Sequence, residues 1–166
     1  MNINNCAALN ASNSYTLTQS VQTNGSTCFN VTGADVALDC AGFSITGNNT
    51  LDTFGIYSSQ FNTTVRNCNI SSFADGIYFD GADNGTIDNS NATITDYFSP
   101  AGNGYGIYLN NNANYNRITR GQATASSNRA IFINSSSSNT LSNLTATTTL
   151  GKAIYLSESS SNTLSN

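Results

Sequence analysis

The hydrophobic positions of this chain recur with a period of more than twenty residues. The segments 130–143 and 153–166 read AIFINSSSSNTLSN and AIYLSESSSNTLSN, which is one pattern written twice at an offset of 23 residues. Looser copies precede these two, and each opens on a small residue, an isoleucine and an aromatic residue. The isoleucines of this first anchor are Ile56, Ile77, Ile107, Ile131 and Ile154, at intervals of 21, 30, 24 and 23 residues.

Two further apolar anchors follow the first in the repeat. The second anchor is Val65, Ile87, Ile118, Leu141 and Leu164, and the third is Ile70, Ala92, Ala123 and Ala146. Asparagines precede the second anchor and follow it by two residues, except that Arg120 takes the following position in one copy. Around each anchor apolar and polar residues alternate over a few positions, which is the period of a strand, and no window holds the period of a helix.

Three short strands in a repeat of about 20 to 24 residues are typical of a parallel β-solenoid. A leucine-rich repeat has a similar length, but it needs several leucines in fixed register, which this chain lacks. One coil cannot bury its own apolar side chains, so like residues of successive coils should stack into inward columns at about 4.8 Å. The sequence therefore predicts a single all-β domain over residues 1–166, with about six coils.

The two ends of the chain differ from the regular repeats. Residues 28–166 are predicted to form the coils, and residues 1–27 an irregular N-terminal cap in which Tyr15 and Leu17 cover the end of the core. The last repeat runs to Asn166 with no visible C-terminal cap. An open solenoid end favours self-association, head-to-tail or lateral, and a head-to-tail contact that does not close gives a filament.

The composition of the chain argues against two kinds of partner, nucleic acid and the membrane interior. The formal charge is −4 with only five basic residues, so no cationic stripe is available for phosphates and nucleic acid is not a predicted partner. No stretch approaches the roughly 20 apolar residues that a membrane-spanning helix needs. The first ten residues lack the charged and apolar regions of a signal peptide, so an exported protein would have lost its leader or be a fragment.

The cysteines and the asparagines both indicate an extracellular location. The four cysteines, Cys6, Cys28, Cys40 and Cys68, allow two disulfides in three connectivities, with buried free thiols as the alternative. There is no histidine and no CxxC pair, so no zinc site, other metal or cofactor is predicted. Candidate N-glycosylation sequons lie at Asn10, Asn24, Asn30, Asn48, Asn62, Asn69, Asn84, Asn91, Asn134 and Asn143. We therefore expect an extracellular or cell-surface glycoprotein.

Three stretches carry a resemblance to a known family. LDCAGFSITG, then GIY with NTTVRNCNIS, then GIYLNNN with NRI, resemble the right-handed parallel β-helix superfamily, within it the carbohydrate-binding and sugar-hydrolase repeats and the NosD-like branch. Members include polysaccharide lyases, glycoside hydrolases, adhesins and tailspikes, so the resemblance implies the fold more than an activity. Copper handling uses His, Met or Cys, and with no histidine and one methionine that branch's metal function is not carried over.

The residue after each first-anchor isoleucine is aromatic. These residues are Tyr57, Tyr78, Tyr108, Phe132 and Tyr155. Strand alternation sends them outward, into one column on the surface. Three interpretations are open: a ladder that stacks on itself and stabilises its sheet, a protein interface, or a platform for sugar rings. The longest repeat adds the segment 95–105 beside this column, either as a recognition loop or as a neutral insertion.

The acidic residues give no catalytic motif. Glycoside hydrolysis needs two carboxylates about 5 to 10 Å apart, and Asp80, Asp83 and Asp88 lie near one coil, with Asp75 and Asp96 close in sequence. None of them shares a repeat position on adjacent coils, and a weak calcium site or solvated turns are the alternatives. We assign no catalytic residue. The predicted function is an extracellular structural or adhesive β-solenoid, and the alternative is a carbohydrate-binding module, polysaccharide lyase or glycoside hydrolase.

Overall fold

The computed structural model describes residues 1–10, 12–95 and 104–166, and all regular structure within them is β. In the first half of the chain the strands are β1 (Asn2–Ile3), β2 (Ala7–Leu9), β3 (Ser14–Leu17), β4 (Val21–Gln22), β5 (Phe29–Val31), β6 (Ala37–Asp39), β7 (Ser44–Thr46), β8 (Phe54–Ser58), β9 (Thr64–Arg66) and β10 (Asn69–Ser71). In the second half they are β11 (Asp75–Asp80), β12 (Thr86–Asp88), β13 (Asn91–Ile94), β14 (Ile107–Asn110), β15 (Arg117–Thr119), β16 (Gln122–Ala125), β17 (Arg129–Asn134), β18 (Thr140–Ser142), β19 (Thr145–Thr148), β20 (Lys152–Ser157) and β21 (Thr163–Ser165).

The strands form three sheets in which each strand pairs with strands of the preceding and following coils. Sheet 1 has the order β2-β5-β8-β11-β14-β17-β20, sheet 2 the order β1-β3-β6-β9-β12-β15-β18-β21, and sheet 3 the order β4-β7-β10-β13-β16-β19. Pairing is parallel between neighbours such as β11 and β14, because the chain returns to each sheet in the same direction after one turn. The predicted parallel β-solenoid is confirmed, with about seven turns.

The register stacks like residues in the interior. In sheet 1, Ile77 pairs with Ile56 on one side and Ile107 on the other, and the column continues through Ile131 to Ile154. In sheet 2, Ile87 lies between Val65 and Ile118 in the same way. Ile77 is fully buried, as are most members of both columns. The core is therefore a set of apolar columns along the solenoid axis, as the repeat predicted.

Steric crowding explains why the residue before each first-anchor isoleucine is small. A Cβ atom added at Gly76 would lie 2.5 Å from the carbonyl oxygen of Gly106 and 2.7 Å from the Cβ of Ala92. These distances are shorter than van der Waals contact, so the chain passes the third sheet too closely for a larger side chain. The motif of a small residue, isoleucine and an aromatic residue thus marks where sheet 1 packs on sheet 3.

The turn after the second anchor uses the left-handed conformation. Asn67 and Asn89 have φ of 57° and 47°, and the Nδ2 of Asn89 donates to the Oδ1 of Asn67 at 2.8 Å. Asparagine tolerates this region better than most residues. Arg120 keeps the same conformation, with φ of 55°, and its Nε donates to Asp88 at 2.9 Å. Arg120 therefore replaces the amide ladder with an ion pair without changing the turn.

The asparagines before the second anchor belong to two different columns. Asn84 has a φ of 57° and shares this turn position with Tyr115 and Ser138, which have the same conformation. Asn116 and Asn139 lie one residue later, and the Oδ1 of Asn139 accepts the N–H of Asn116 at 2.7 Å. The asparagines that precede the second anchor therefore occupy two adjacent positions, because asparagine suits both the left-handed turn and the position that caps the preceding coil.

The N-terminal segment extends the sheets. Strands β1, β2 and β4 pair with β3, β5 and β7, so most of residues 1–27 lies in coils, and the predicted irregular cap is not confirmed. Tyr15 pairs with Leu38 and is 5% exposed, and Leu17 is 1% exposed. Both side chains are therefore members of the core. Strands of two to four residues among many polar residues hid this coil in the sequence.

All four cysteines form disulfides. Cys6 bonds to Cys28 and Cys40 to Cys68, across sequence separations of 22 and 28 residues, and no cysteine is free. The cysteines were predicted as oxidised pairs, and the structure selects one of the three connectivities. Each bridge closes a loop of about one coil in the N-terminal half of the solenoid.

Removing the Cys40–Cys68 bridge with C40A/C68A is expected to lower the free energy of unfolding by about 3 kcal/mol, because the open loop of 28 residues gains entropy in the unfolded chain. Urea unfolding with and without a thiol reductant measures the change. The parent protein should lose more stability on reduction than the variant, which keeps only the Cys6–Cys28 bridge. Equal stabilities of the parent and the variant under oxidising conditions would contradict the prediction.

Candidate functional site

The outward aromatic residues of sheet 1 stack on one another. Their rings, called here the ring column, follow the strand register with centroid separations of 5.4, 4.7, 5.0 and 5.4 Å. The column consists of Tyr57, Tyr78, Tyr108, Phe132 and Tyr155. The last four rings have interplanar angles of 14°, 1° and 17°, so they stack face to face and each ring covers the face of its neighbour. A ligand on this side would therefore meet mainly ring edges and hydroxyl groups.

A second set of side chains flanks the ring column, and it was not predicted from the sequence. It comprises the residues directly before the small residue of each repeat, Phe54, Asp75, Tyr105, Arg129 and Lys152. The Phe54 ring lies 5.1 Å from that of Tyr78, and the Tyr105 ring lies 4.8 Å from that of Tyr108. Their shared position in every repeat was the signal that could have revealed this flanking column.

Polar groups border the ring column on its other side. The Tyr57 hydroxyl donates to Asp80 Oδ2 at 3.1 Å, and Asn110 Nδ2 donates to the Tyr78 hydroxyl at 3.1 Å. Asn134 Nδ2 then donates to Asn110 Oδ1 at 2.9 Å. Burial raises the pKa of Tyr78 to about 12, so its phenol is protonated at neutral pH. This polar border consists of Asp80, Asn110, Asn134 and Ser157, and its Asp80 and Asn110 orient the hydroxyl groups of Tyr57 and Tyr78.

Asp75 is the buried carboxylate of this face. It is 2% exposed, and its Oδ1 accepts the N–H groups of Gly104 at 2.9 Å and Tyr105 at 2.8 Å. Burial raises its pKa to about 7, against the two hydrogen bonds, and the charge of Asp52 acts in the same direction as burial. Asp75 therefore fixes the backbone that carries Tyr105 onto the ring column.

The aspartates singled out from the sequence do not converge on one point. Asp80 accepts from Tyr57 and Asn111, while Asp83 accepts the N–H of Asn114 at 2.7 Å. Asp88 pairs with Arg120. Among the described residues there is no group of three or more His, Cys, Asp or Glu that could hold a metal ion. Asp96 and most of the predicted recognition loop, residues 96–103, lie outside the described residues.

The predicted glycosylation sequons differ in the state of their amides. The Nδ2 atoms of Asn48, Asn62, Asn69, Asn91 and Asn134 donate hydrogen bonds within the protein. The side chains of Asn10, Asn24, Asn30, Asn84 and Asn143 are exposed, with no such bond among the described residues. A glycan attaches at Nδ2, so the second group is the better set of acceptors, and glycosylation itself stays a prediction.

Two cations lie at one end of the ring column. The guanidinium carbon of Arg129 is 4.7 Å from the ring centroid of Phe132 and 4.9 Å from that of Tyr155. The Nζ of Lys152 is 3.7 Å from the Tyr155 centroid. Such distances are those of cation–π contacts. The face thus combines aromatic rings, a polar border and a cationic end.

Comparison with known proteins identifies the fold family. A family described as the right handed beta helix region matches residues 54–166, which is more than half of the chain. The chain belongs to the right-handed β-helix family. This match confirms the resemblance to the superfamily and indicates that the solenoid is right-handed. Membership of the NosD-like branch stays a prediction. No curated protein matches the chain.

A solved structure of similar fold is that of the Dettilon tailspike protein (gp208). The TM-score is 0.58 at 16% sequence identity, and the match covers 96% of this chain and 38% of the tailspike chain. At this identity the similarity concerns the fold alone, and the β-helix described here spans well under half of the tailspike's length. Within the described residues no helix is both long and apolar enough to cross a membrane.

Proposed function

We propose that this β-helix is an extracellular surface protein with a structural and adhesive role, and that the face of the ring column contacts carbohydrate. The observation that carries the proposal is the alignment of equivalent polar and aromatic groups on successive coils. The coils rise by about 4.8 Å, close to the length of one sugar unit in an extended polysaccharide. Each coil thus offers similar hydrogen-bonding groups to successive sugars of a chain lying along the axis.

The chemistry of the face suits sugar hydroxyl groups. Phenols, side-chain amides and the Asp80 carboxylate supply both donors and acceptors. The ring stacking and the hydrogen bonds of the polar border fix these groups before a ligand arrives, which reduces the entropy lost on binding. Two disulfides suit an oxidising compartment and support the extracellular placement. The tailspike likeness supports a role for the rigid β-helix at a surface.

A polysaccharide panel tests the proposed adhesion. Neutral and acidic polysaccharides are immobilised, and retention of the protein is measured together with release of reducing ends or unsaturated products. We expect retention without product. The Y78F/Y108F variant, which lacks two hydroxyls of the face, should bind about tenfold more weakly. Y115F, at an exposed tyrosine in the turn before β15 and outside the ring column, should bind like the parent protein.

Three results would overturn this proposal in different ways. Steady release of products would favour the alternative of a polysaccharide lyase or glycoside hydrolase. Failure to retain the protein on every polysaccharide would remove the adhesive role towards carbohydrate. Equal loss of binding in Y78F/Y108F and Y115F would move the contact away from the ring column.

Self-association is a second candidate role, favoured by an apolar groove at the last coil. The groove is lined by Leu141, Leu144, Ile154 and Leu164, and Leu164 is 47% exposed. Further coils or a second copy of the chain would cover it. Light scattering over a concentration series tests the filament hypothesis: mass that grows with concentration, and falls back in L164K, supports it, whereas a constant monomer mass contradicts it.

A further inference from the structure

Charge is distributed unevenly along the face of the ring column. The carboxylates Asp75 and Asp80 lie on β11, in the middle of sheet 1. The cations Arg129 and Lys152 lie on β17 and β20, at one end of that sheet. One strand, β14, lies between β11 and β17, so two strand spacings of about 4.8 Å each separate the two kinds of charge, which is beyond the distance of an ion pair. At this end of the sheet two cations are therefore adjacent, in a protein whose formal charge is −4.

The two cations lie side by side, and no anion among the described residues pairs with them. Arg129 and Lys152 are paired in the strand register, and both contact the ring of Tyr155. Two other basic residues of the chain form ion pairs, Arg66 with Asp39 and Arg120 with Asp88. In the part of the chain that the structure describes, neither Arg129 nor Lys152 forms an ion pair. Like charges on neighbouring strands repel, and an anion between them would relieve that repulsion.

The guanidinium of Arg129 is oriented by the protein and keeps donors for a ligand. Its Nη1 donates to the Tyr105 hydroxyl at 3.2 Å and to Asn128 Oδ1 at 2.8 Å. Both of these bonds use one nitrogen, and Nε and Nη2 donate to no other group in the described part of the chain, so there they have hydrogen atoms for a ligand. A guanidinium fixed in this way can take the two oxygens of a carboxylate or sulfate together, and the flexible ammonium of Lys152 adds a second charge.

The surroundings of the pair suit a sugar ring. A shallow hollow next to the cations is lined by Ser127, Asn128, Leu150 and Gly151. Leu150 is 78% exposed and offers an apolar surface for the carbon side of a sugar. On the other side of Tyr155, Asn134 and Ser157 are paired in register and provide polar groups for hydroxyls.

We infer that Arg129 and Lys152 form a subsite for an acidic sugar, whose carboxylate or sulfate group lies between the two cations while its ring lies against Tyr155 and Leu150. This inference rests on the proposed adhesive function and names its ligand class: a polysaccharide that carries regularly spaced anionic sugars. The cation–π contacts hold the two cations at the ring column, and the anion neutralises them from the solvent side.

Calorimetry with purified oligosaccharides tests the subsite. The probes are a uronic acid oligomer, a sulfated oligomer and a neutral oligomer of equal length, with sodium acetate and sodium sulfate as free anions. The R129Q/K152Q variant should bind the acidic oligomer that the parent prefers about 100-fold more weakly, as expected for two charge-assisted hydrogen bonds. R117Q, which removes an exposed cation of sheet 2, should change that affinity less than twofold. Far-UV circular dichroism verifies that the variants are folded.

The parent protein supplies a second measurement that needs no variant. Affinity for the acidic oligomer should fall steeply as sodium chloride is raised, while affinity for the neutral oligomer should stay constant. Preference for the uronate or the sulfated oligomer identifies the anionic group. Equal affinity of the parent for acidic and neutral oligomers, equal losses in R117Q and R129Q/K152Q, or binding of free anions as tight as that of the oligomers would overturn the subsite and leave the adhesive function standing. Binding to no oligomer at all would instead count against the proposed function.

Discussion

Replacing Ile107 with alanine is expected to lower the free energy of unfolding by about 4 kcal/mol, among the largest effects of any single core substitution in this chain. Ile107 is 1% exposed and lies in the column between Ile77 and Ile131. The backbone hydrogen bonds keep the neighbouring strands at a fixed spacing, so these strands cannot move in to fill the cavity that the alanine leaves. Equilibrium urea unfolding, followed by circular dichroism, measures the change.

A surface substitution two strands later in the same coil serves as the control. Gln122 begins β16, and its side chain is exposed. Q122A should change the free energy of unfolding by less than about 0.5 kcal/mol, as is usual for exposed positions without special contacts. If I107A and Q122A had equal and small effects, the apolar column at Ile107 would not be a source of stability, and the interior assigned to the first anchor would be wrong.

Raising the pH from 4 to 8 is expected to remove stability that Asp75 contributes at low pH. Its folded-state pKa is about 7, because burial disfavours the charged form, and the pKa in the unfolded chain is about 3.9. Below pH 4 both states are protonated, and this contribution is fully present. Between pH 4 and pH 7 only the folded state keeps the proton, so stability falls as pH rises, by about 4 kcal/mol for a difference of roughly three pKa units.

The D75N variant isolates this effect from other carboxylates. Asp39 and Asp88 have lowered pKa values, since hydrogen bonds and arginines favour their charged forms, so they remove stability as pH falls instead. An asparagine at position 75 can still accept the N–H groups of Gly104 and Tyr105 through its Oδ1 and cannot ionise. The difference in unfolding free energy, D75N minus parent, should therefore rise from pH 4 to pH 8. A difference that is flat over this range would show that Asp75 titrates normally.

The parts of the fold that repeat could be predicted from the sequence. The apolar anchors recur because each coil must bury the same positions against its neighbours, so Ile77 and Ile107 could be stacked from spacing alone. The position of each turn asparagine within the repeat could not be predicted, since asparagine occurs both at the left-handed position of Asn84 and at the capping position of Asn116. The coil formed by residues 1–27 was missed because its strands are short and carry few apolar residues.

The residues that lie beside the ring column could be identified only from the strand register of the structure. Arg129 and Lys152 are 23 residues apart in the chain, and only the pairing of β17 with β20 brings both cations to Tyr155. Likewise, Asp75 and Tyr105 are separated by 30 residues, the longest repeat of the chain. That repeat differs in length from its neighbours, so its spacing could not indicate which residue meets the buried carboxylate.

The apolar interior and the surface site both depend on coils that stack in register. Methyl-labelled isoleucine NMR tests this most directly, through nuclear Overhauser effects between the δ-methyl groups of sheet 1. We predict an unbroken series of cross-peaks linking Ile56, Ile77, Ile107, Ile131 and Ile154 in that order. Cross-peaks that skip a coil, or the absence of any contact between Ile77 and Ile107, would contradict the stacked interior and with it the surface face built upon it.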